Sequence, residues 1–242
     1  MIFSAKTDIG LRRSSNQDAF SFKKIGDDFG WSVVCDGMGG MAAGNLASEI
    51  AVKHIEKSFN DNLSPKLSEK QILNLIKASV ESANAAIFDK AKNDEKFNGM
   101  GTTIVLAVVK GSNCYVAHAG DSRLYRFSNG KLSQVTTDHS VVQSMVDIGH
   151  ITEAEAKLHP NKNIITKALG VHSNIDVDIT CVSVCREDIV LLCTDGLTNC
   201  VSDAEINNIL QNTGIEGVAD ELVDKANAGG GLDNITAVAL KI

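Results

Sequence analysis

Apolar residues in this chain recur with two different periods, and the switches between them outline its elements. Residues 1–36 read as short strands broken at Gly10, Gly26 and Gly30. From Ala42 the period lengthens, and Leu46, Ile50, Ile55 and Phe59 suit one face of a helix ending near Asn60. Ser68 with Gln71 makes a capping box for a second helix through Leu73, Ile76, Val80 and Ile87. Residues 101–136 return to strand character, with a turn at Lys110-Gly-Ser-Asn113. Asn129-Gly130 is a type I′ hairpin signal between 124–127 and 132–135. Residues 138–173 are the least regular part, with short helical pieces, a Thr152/Glu155 capping box and the polar stretch His159-Pro-Asn-Lys-Asn163. Such a segment between two strand blocks is a candidate flap.

Strands follow at 175–184 and 188–194, joined by a turn near Arg186-Glu-Asp188. Ser202/Glu205 caps a helix to about Leu210, a further helix covers 215–228, and Gly229-Gly-Gly231 breaks the chain before a last strand at 234–241. Hairpins require antiparallel pairing, which argues against a doubly wound parallel sheet. Strand blocks remote in sequence must pair, so the pattern predicts one α+β domain spanning 1–242.

Composition narrows the class. Of 242 residues, 43% are hydrophobic, enough for a large core, and 22% are charged with no long run, which argues against disorder. The formal net charge of −7 disfavours a general nucleic-acid or anionic-membrane surface. No apolar stretch approaches the ~20 residues that span a bilayer. The start, Met1-Ile-Phe-Ser-Ala-Lys6, lacks the basic and apolar regions of a signal peptide, so a cytoplasmic protein is expected. The six cysteines form no Cys-x-x-Cys, and most lie inside apolar runs, so buried reduced thiols are expected rather than disulfides or zinc.

The chemistry sits where apolar runs stop on aspartates beside glycines. Trp31-Ser-Val-Val-Cys35 meets Asp36-Gly37, 114–119 meets Gly120-Asp121, and 189–194 meets Asp195-Gly196, while Asp233 opens the final run. Each pair alone reads as an ordinary turn. Four aspartates at corresponding strand ends instead suggest carboxylates that converge, and such carboxylates repel unless cations lie between them. No histidine falls inside these motifs, and carboxylates with the Gly37 carbonyl and water suit Mg2+ or Mn2+ better than zinc. Two such ions can activate water and neutralise an anionic substrate, which fits phosphate ester hydrolysis. Arg13 could take a phosphate bidentately, Asp18 could hold a metal-bound water, and Arg12 reads better as an exposed loop residue.

Taken in order, Arg13-x-x-Asn16-Gln-Asp18, Asp36-Gly-Met-Gly-Gly40, Gly101-Thr-Thr103, Gly120-Asp-Ser-Arg123, Thr194-Asp-Gly196 and Asp233-Asn234 resemble the protein phosphatase 2C family, in its bacterial short form. The resemblance implies a four-layer αββα sandwich, two central antiparallel sheets flanked by helix pairs. It implies two Mn2+ or Mg2+ ions bridged by Asp36, with the Gly37 carbonyl, Asp195 and Asp233 completing the pair and Asp18 acting through a bound water. Arg13 matches the phosphate-binding arginine, and Asp121 with Asp195 matches a third, weaker ion site of bacterial relatives. The implied reaction is hydrolysis of phosphoserine or phosphothreonine by direct attack of the metal-bridging hydroxide. The implied partners are phosphorylated proteins and a cognate Ser/Thr kinase, with the phosphatase acting as a monomer.

Three positions depart from the family pattern. Met38 and Met41 stand where animal and many bacterial relatives, respectively, carry a histidine, and Gln17 replaces a glutamate near the metals. The general acid is therefore either metal-bound water, the preferred reading, or His139, for which a structural or flap-anchoring role is favoured. Two other functions compete: a catalytically inactive relative, disfavoured because every metal aspartate is present, and another two-metal hydrolase such as a nuclease, disfavoured by charge.

Overall fold

The computed structural model describes residues 1–40 and 43–242. Eleven strands among them build two antiparallel sheets. One has the order β1 (Ile2–Asp8), β11 (Ile235–Lys241), β10 (Ile189–Cys193), β7 (Arg123–Ser128) and β8 (Lys131–Gln134). The other runs β2 (Asp18–Lys24), β3 (Phe29–Met38), β5 (Ile104–Lys110), β6 (Asn113–Ala119) and β9 (Asp178–Ser183), and the short β4 (Gly101–Thr102) extends β3. Two long helices, α1 (Ala43–Asn62) and α2 (Glu69–Asn93), cover the second sheet. The first is covered by α5 (Asp195–Thr198), α6 (Asp203–Asn212) and α7 (Ile215–Ala228). Helices α3 (Val141–Asp147) and α4 (Glu153–Leu158) lie in the segment between β8 and β9. The expected αββα layering is what the chain adopts.

The central strands explain why strict alternation fades from their sequence. On β5, Ile104, Leu106 and Val108 face the helices, while Val105, Ala107 and Val109 face the other sheet. On β10, Ile189, Leu191 and Cys193 face α6 and α7, while Val190 and Leu192 point inward between the sheets. Successive side chains point to opposite faces, and both faces are dry, so every position is apolar except Lys110 at the end of β5.

Several expectations shift in detail. The buried row of α1 is Ala43, Ala47, Ala51, Ile55 and Phe59, and the expected Leu46 and Ile50 only flank it. Small residues on that row let the helix lie close to the sheet, and Trp31 then meets the Phe59 ring edge-on at 5.4 Å. The capping boxes at Ser68, Thr152 and Ser202 all form. Asn129 and Gly130 both take positive φ, 51° and 74°, as a type I′ turn demands. The turn at 186–188 does not make a hairpin: β9 pairs with β6 and β10 with β7 and β11, so the chain crosses between sheets there. All six cysteines are free, but only Cys35, Cys114 and Cys193 are buried, because Cys181 lies on an edge strand and Cys185 beyond it. No helix among the described residues is long and apolar enough to cross a membrane.

Candidate active site

The aspartates gather at one end of the sandwich. Asp18 on β2 pairs in register with Asp36 on β3, and the β3–β4 pairing carries that strand on through Met38. Asp36 thus lies within a strand and not at its end, because Gly101 and Thr102 supply a partner for two further residues. Asp121 follows β6, Asp195 opens the one-turn helix α5, and Asp233 stands just before β11.

Both Asp-Gly pairs have a different local cause from the expected turn. Gly37 and Gly196 keep backbone conformations open to any residue, but neither has room for a side chain. A Cβ on Gly37 would lie 2.0 Å from the Gly44 carbonyl of α1, and one on Gly196 would lie 2.0 Å from the Asn234 carbonyl. Each glycine lets two backbones touch beside an acidic residue. Gly37→Ala is therefore expected to destabilise the protein by at least the ~3 kcal/mol upper end of overpacking costs. A urea melt of this variant within error of wild type would contradict the close approach.

Hydroxyls and amides hold the acidic backbone in place. Asp36 N–H donates to Thr103 Oγ1 at 2.9 Å, and the Asp36 carbonyl accepts from Thr102 Oγ1 at 2.8 Å and Thr103 N–H at 2.9 Å. Thr103 Oγ1 lies 2.7 Å from Ser122 Oγ, next to Asp121. Asn234 accepts Gln17 N–H on Oδ1 and donates to the Ile9 and Ser15 carbonyls, which ties the loop bearing Arg13 to the base of β11. Arg13 Nη2 sits 2.7 Å from Asp233 Oδ2. Gln17 turns its Nε2 to the Gly40 carbonyl at 2.7 Å, so it braces the glycine loop. The roles of Thr194 and Thr236 were not read from sequence: their hydroxyls donate to Asp18 Oδ2 at 2.9 and 2.7 Å. Thr194 stands inside a recognised motif; Thr236 sits in an apolar run, and nothing local marks it.

The carboxylates shift one another's protons. Burial first, then the charges of Asp18, Asp195, Asp121 and Asp233, push Asp36 well above the usual carboxylate range. Burial carries Asp18 up to about 7 against the pull of its two threonine hydroxyls, and Asp195 and Asp233 add to the rise. Asp121 also goes up to about 7, mainly through burial and then Asp195. Asp195 is raised by burial and by Asp233, and lowered by Asn199 and Asp36 hydrogen bonds. Asp18 Oδ1 and Asp195 Oδ1 are buried without a hydrogen-bond partner. Unpaired buried carboxylate oxygens are costly, and a divalent cation is a partner that satisfies them. No three His, Cys, Asp or Glu side chains among the described residues form one tight ligand set. An ion here would take one or two carboxylates, a carbonyl and several waters, the manner of Mg2+.

His139 meets this cluster only through the backbone of the Asp121 turn, and both its ring nitrogens are engaged, Nδ1 by Gly120 N–H and Nε2 by Asp178. It has no nitrogen free to act as general acid. Met38 is partly exposed beside the cluster, and Met41 lies outside the described residues.

Comparison with known proteins agrees with this geometry. The protein phosphatase 2C family model matches residues 12–224. The serine/threonine phosphatase stp of Listeria welshimeri is 37% identical over 98% of this chain and 94% of its own length. The Streptococcus agalactiae serine/threonine phosphatase structure superposes with a TM-score of 0.91 at 37% identity, covering 100% of this chain and 99% of that one. The catalytic domain of the phosphatase PstP, solved in complex with two manganese ions, superposes with a TM-score of 0.86 at 34% identity over 98% of this chain and 96% of that one. A whole-chain match in sequence, reproduced in fold and laid over a convergent cluster of aspartates, places this chain in the protein phosphatase 2C family, as a serine/threonine phosphoprotein phosphatase.

Proposed function

We propose that the chain hydrolyses phosphoserine and phosphothreonine in proteins with two Mn2+ or Mg2+ ions seated among Asp36, the Gly37 carbonyl, Asp195 and Asp233, and a third, weaker ion at Asp121 with Asp195. The observation that carries the reading is the pair of buried, partnerless carboxylate oxygens on Asp18 and Asp195 inside a ring of mutually repelling aspartates. When bound, such ions supply an acidified water as nucleophile and neutralise the phosphoryl oxygens. The manganese-bound PstP relative is in keeping with this chemistry.

The chain's own residues do the positioning. Asp36, held at both its N–H and its carbonyl, would present a fixed carboxylate to the ions. Asp18 keeps Oδ2 on its two threonines and leaves Oδ1 to accept from a water. Arg13, half exposed at the rim, exchanges its Asp233 contact for the phosphate of the substrate. No histidine is at hand to protonate the leaving seryl or threonyl oxygen, so water in the site is the donor. Residues 138–173 serve as the flap of one catalytic domain spanning 1–242. We take the enzyme to act as a cytoplasmic monomer on the substrates of a Ser/Thr kinase, by analogy of family.

The decisive experiment is phosphate release from a phosphoserine peptide with Mn2+, expected to stop when EDTA is added. Turnover that survives EDTA would refute the metal reading, and no turnover with intact Mn2+ binding would favour an inactive relative. Arg13→Ala is expected to raise KM about tenfold, about 1.4 kcal/mol of binding, with a smaller change in kcat. An unchanged KM would remove Arg13 from phosphate binding.

A further inference from the structure

The turn Gly120-Asp-Ser-Arg123 carries the Asp121 carboxylate, and two consecutive residues of another segment grip it at both ends. At the first end, His139 N–H donates to the Gly120 carbonyl at 2.7 Å, and Gly120 N–H donates to His139 Nδ1 at 3.1 Å. At the second, Asp138 takes the Arg123 guanidinium through Nε at 2.8 Å and Nη2 at 2.7 Å, a bidentate pair. Gly120 has φ of 118°, and a Cβ on it would lie 2.5 Å from Thr103 Cγ2. The turn is thus wedged against the threonine that also binds Asp36 N–H.

The contacts also fix the His139 tautomer. Since Nδ1 accepts, the neutral ring carries its proton on Nε2, which faces Asp178 Oδ2 at 3.2 Å. Asp178 holds Lys167 Nζ at 2.7 Å, and the His139 carbonyl accepts Thr166 N–H at 2.8 Å. The ring stacks on buried His118 at 4.8 Å, which bars it from turning. One imidazole therefore joins the Asp121 turn to the returning end of the irregular 138–173 segment, and Ser140, the next residue, caps helix α3 of that segment.

We propose that His139 is a positioning residue. Its Nδ1 sets the Asp121 turn, and so the affinity for the weaker third ion, while its Nε2 ties that turn through Asp178 to the root of the flap. The ion part rests on the phosphatase reading above; the clamp does not.

Two variants separate the two nitrogens, because an Asn amide oxygen reaches about where Nδ1 stands and a Gln amide about where Nε2 stands. Amide hydrogen exchange at Gly120 and calorimetric titration with Mn2+ alone are the readouts. His139→Ala and His139→Gln are expected to speed Gly120 exchange and to weaken the weaker class of Mn2+ sites about tenfold, leaving the tighter class unchanged. His139→Asn is expected to keep both near wild type. A Gly120 amide as protected in the Ala or Gln variant as in wild type would overturn the proposal, as would an Asn variant no better than Gln. Should the Ala variant not fold, the Asn and Gln pair decides. A wild type that takes up only two ions would remove the third-ion reading, and Gly120 exchange would then decide the clamp alone.

Discussion

Asp36→Asn is expected to abolish turnover and, in EDTA, to raise the melting temperature. The first half follows from position: Asp36 is the carboxylate that faces four others and the one assigned to both ions. Removing one preorganised electrostatic partner from an active site costs ~10²–10³ in rate, and a residue serving two ions should exceed the top of that range. The second half follows from charge. Without metal, Asp36 lies half-buried among like charges, which with desolvation push its carboxyl well above the usual carboxylate range. An amide keeps the shape and removes the repulsion, which is the usual exchange of function for stability at an active site. At ~2–4 °C per kcal/mol for a chain of this length, relief of a few kcal/mol is several degrees. Calorimetry of both proteins in EDTA at pH 8 reads the effect. A variant that melts below wild type there would show that mutual repulsion does not govern the site.

Between pH 6.5 and 8.5 the metal-free enzyme is expected to lose stability and then level off, and Mn2+ to restore it more at the higher pH. Asp18 and Asp121 go from an ordinary value of 3.8 up to about 7 in the folded protein, and Asp36 is likewise pushed well above the usual carboxylate range. Near pH 6.5 the folded state still holds protons on Asp18 and Asp121 that the unfolded state has released, so stability falls as pH rises until these protons too are lost above about 7. Their contribution is complete below about pH 4 and is lost as pH climbs through the folded values. His118 works the other way, since burial and then His139 hold it down at about 4 against an ordinary 6.5. Its contribution grows with pH only up to about 6.5, so the chosen window isolates the aspartates. Divalent ions bind the deprotonated carboxylates, so the Mn2+-induced rise in melting temperature should be larger at pH 8.5 than at 6.5. A flat melting profile in EDTA, or a Mn2+ effect independent of pH, would contradict the coupled cluster.

Much of this was legible in the chain because it is local. The 3.6-residue period of α1 and α2, the three capping boxes and the Asn129-Gly130 turn are each set within a few neighbouring residues, and each formed. The aspartates were legible for a related reason: Asp36, Asp121 and Asp195 sit where an apolar run meets a glycine and Asp233 opens the last run, and the six motifs together carried a family resemblance that the comparisons bear out. What local reading missed depends on partners remote in sequence. Asp-Gly looked like a turn at 36–37, but the strand continues because Gly101 and Thr102 arrive beside it. Thr236 looked like one more strand residue, yet its hydroxyl lies 2.7 Å from a carboxylate 218 positions away.

The same division holds for the chain as a whole. Residue order alone specified which segments become helices and strands, which acidic side chains stand near their ends and what family they belong to, since periodicity, caps and motif spacing are short-range properties. Folding alone settled which faces of β5 and β10 meet which layer, which glycines admit a neighbouring backbone, and how far the aspartates disturb one another's protons. Packing distance and desolvation are properties of space, and they exist only once segments far apart in the chain have met.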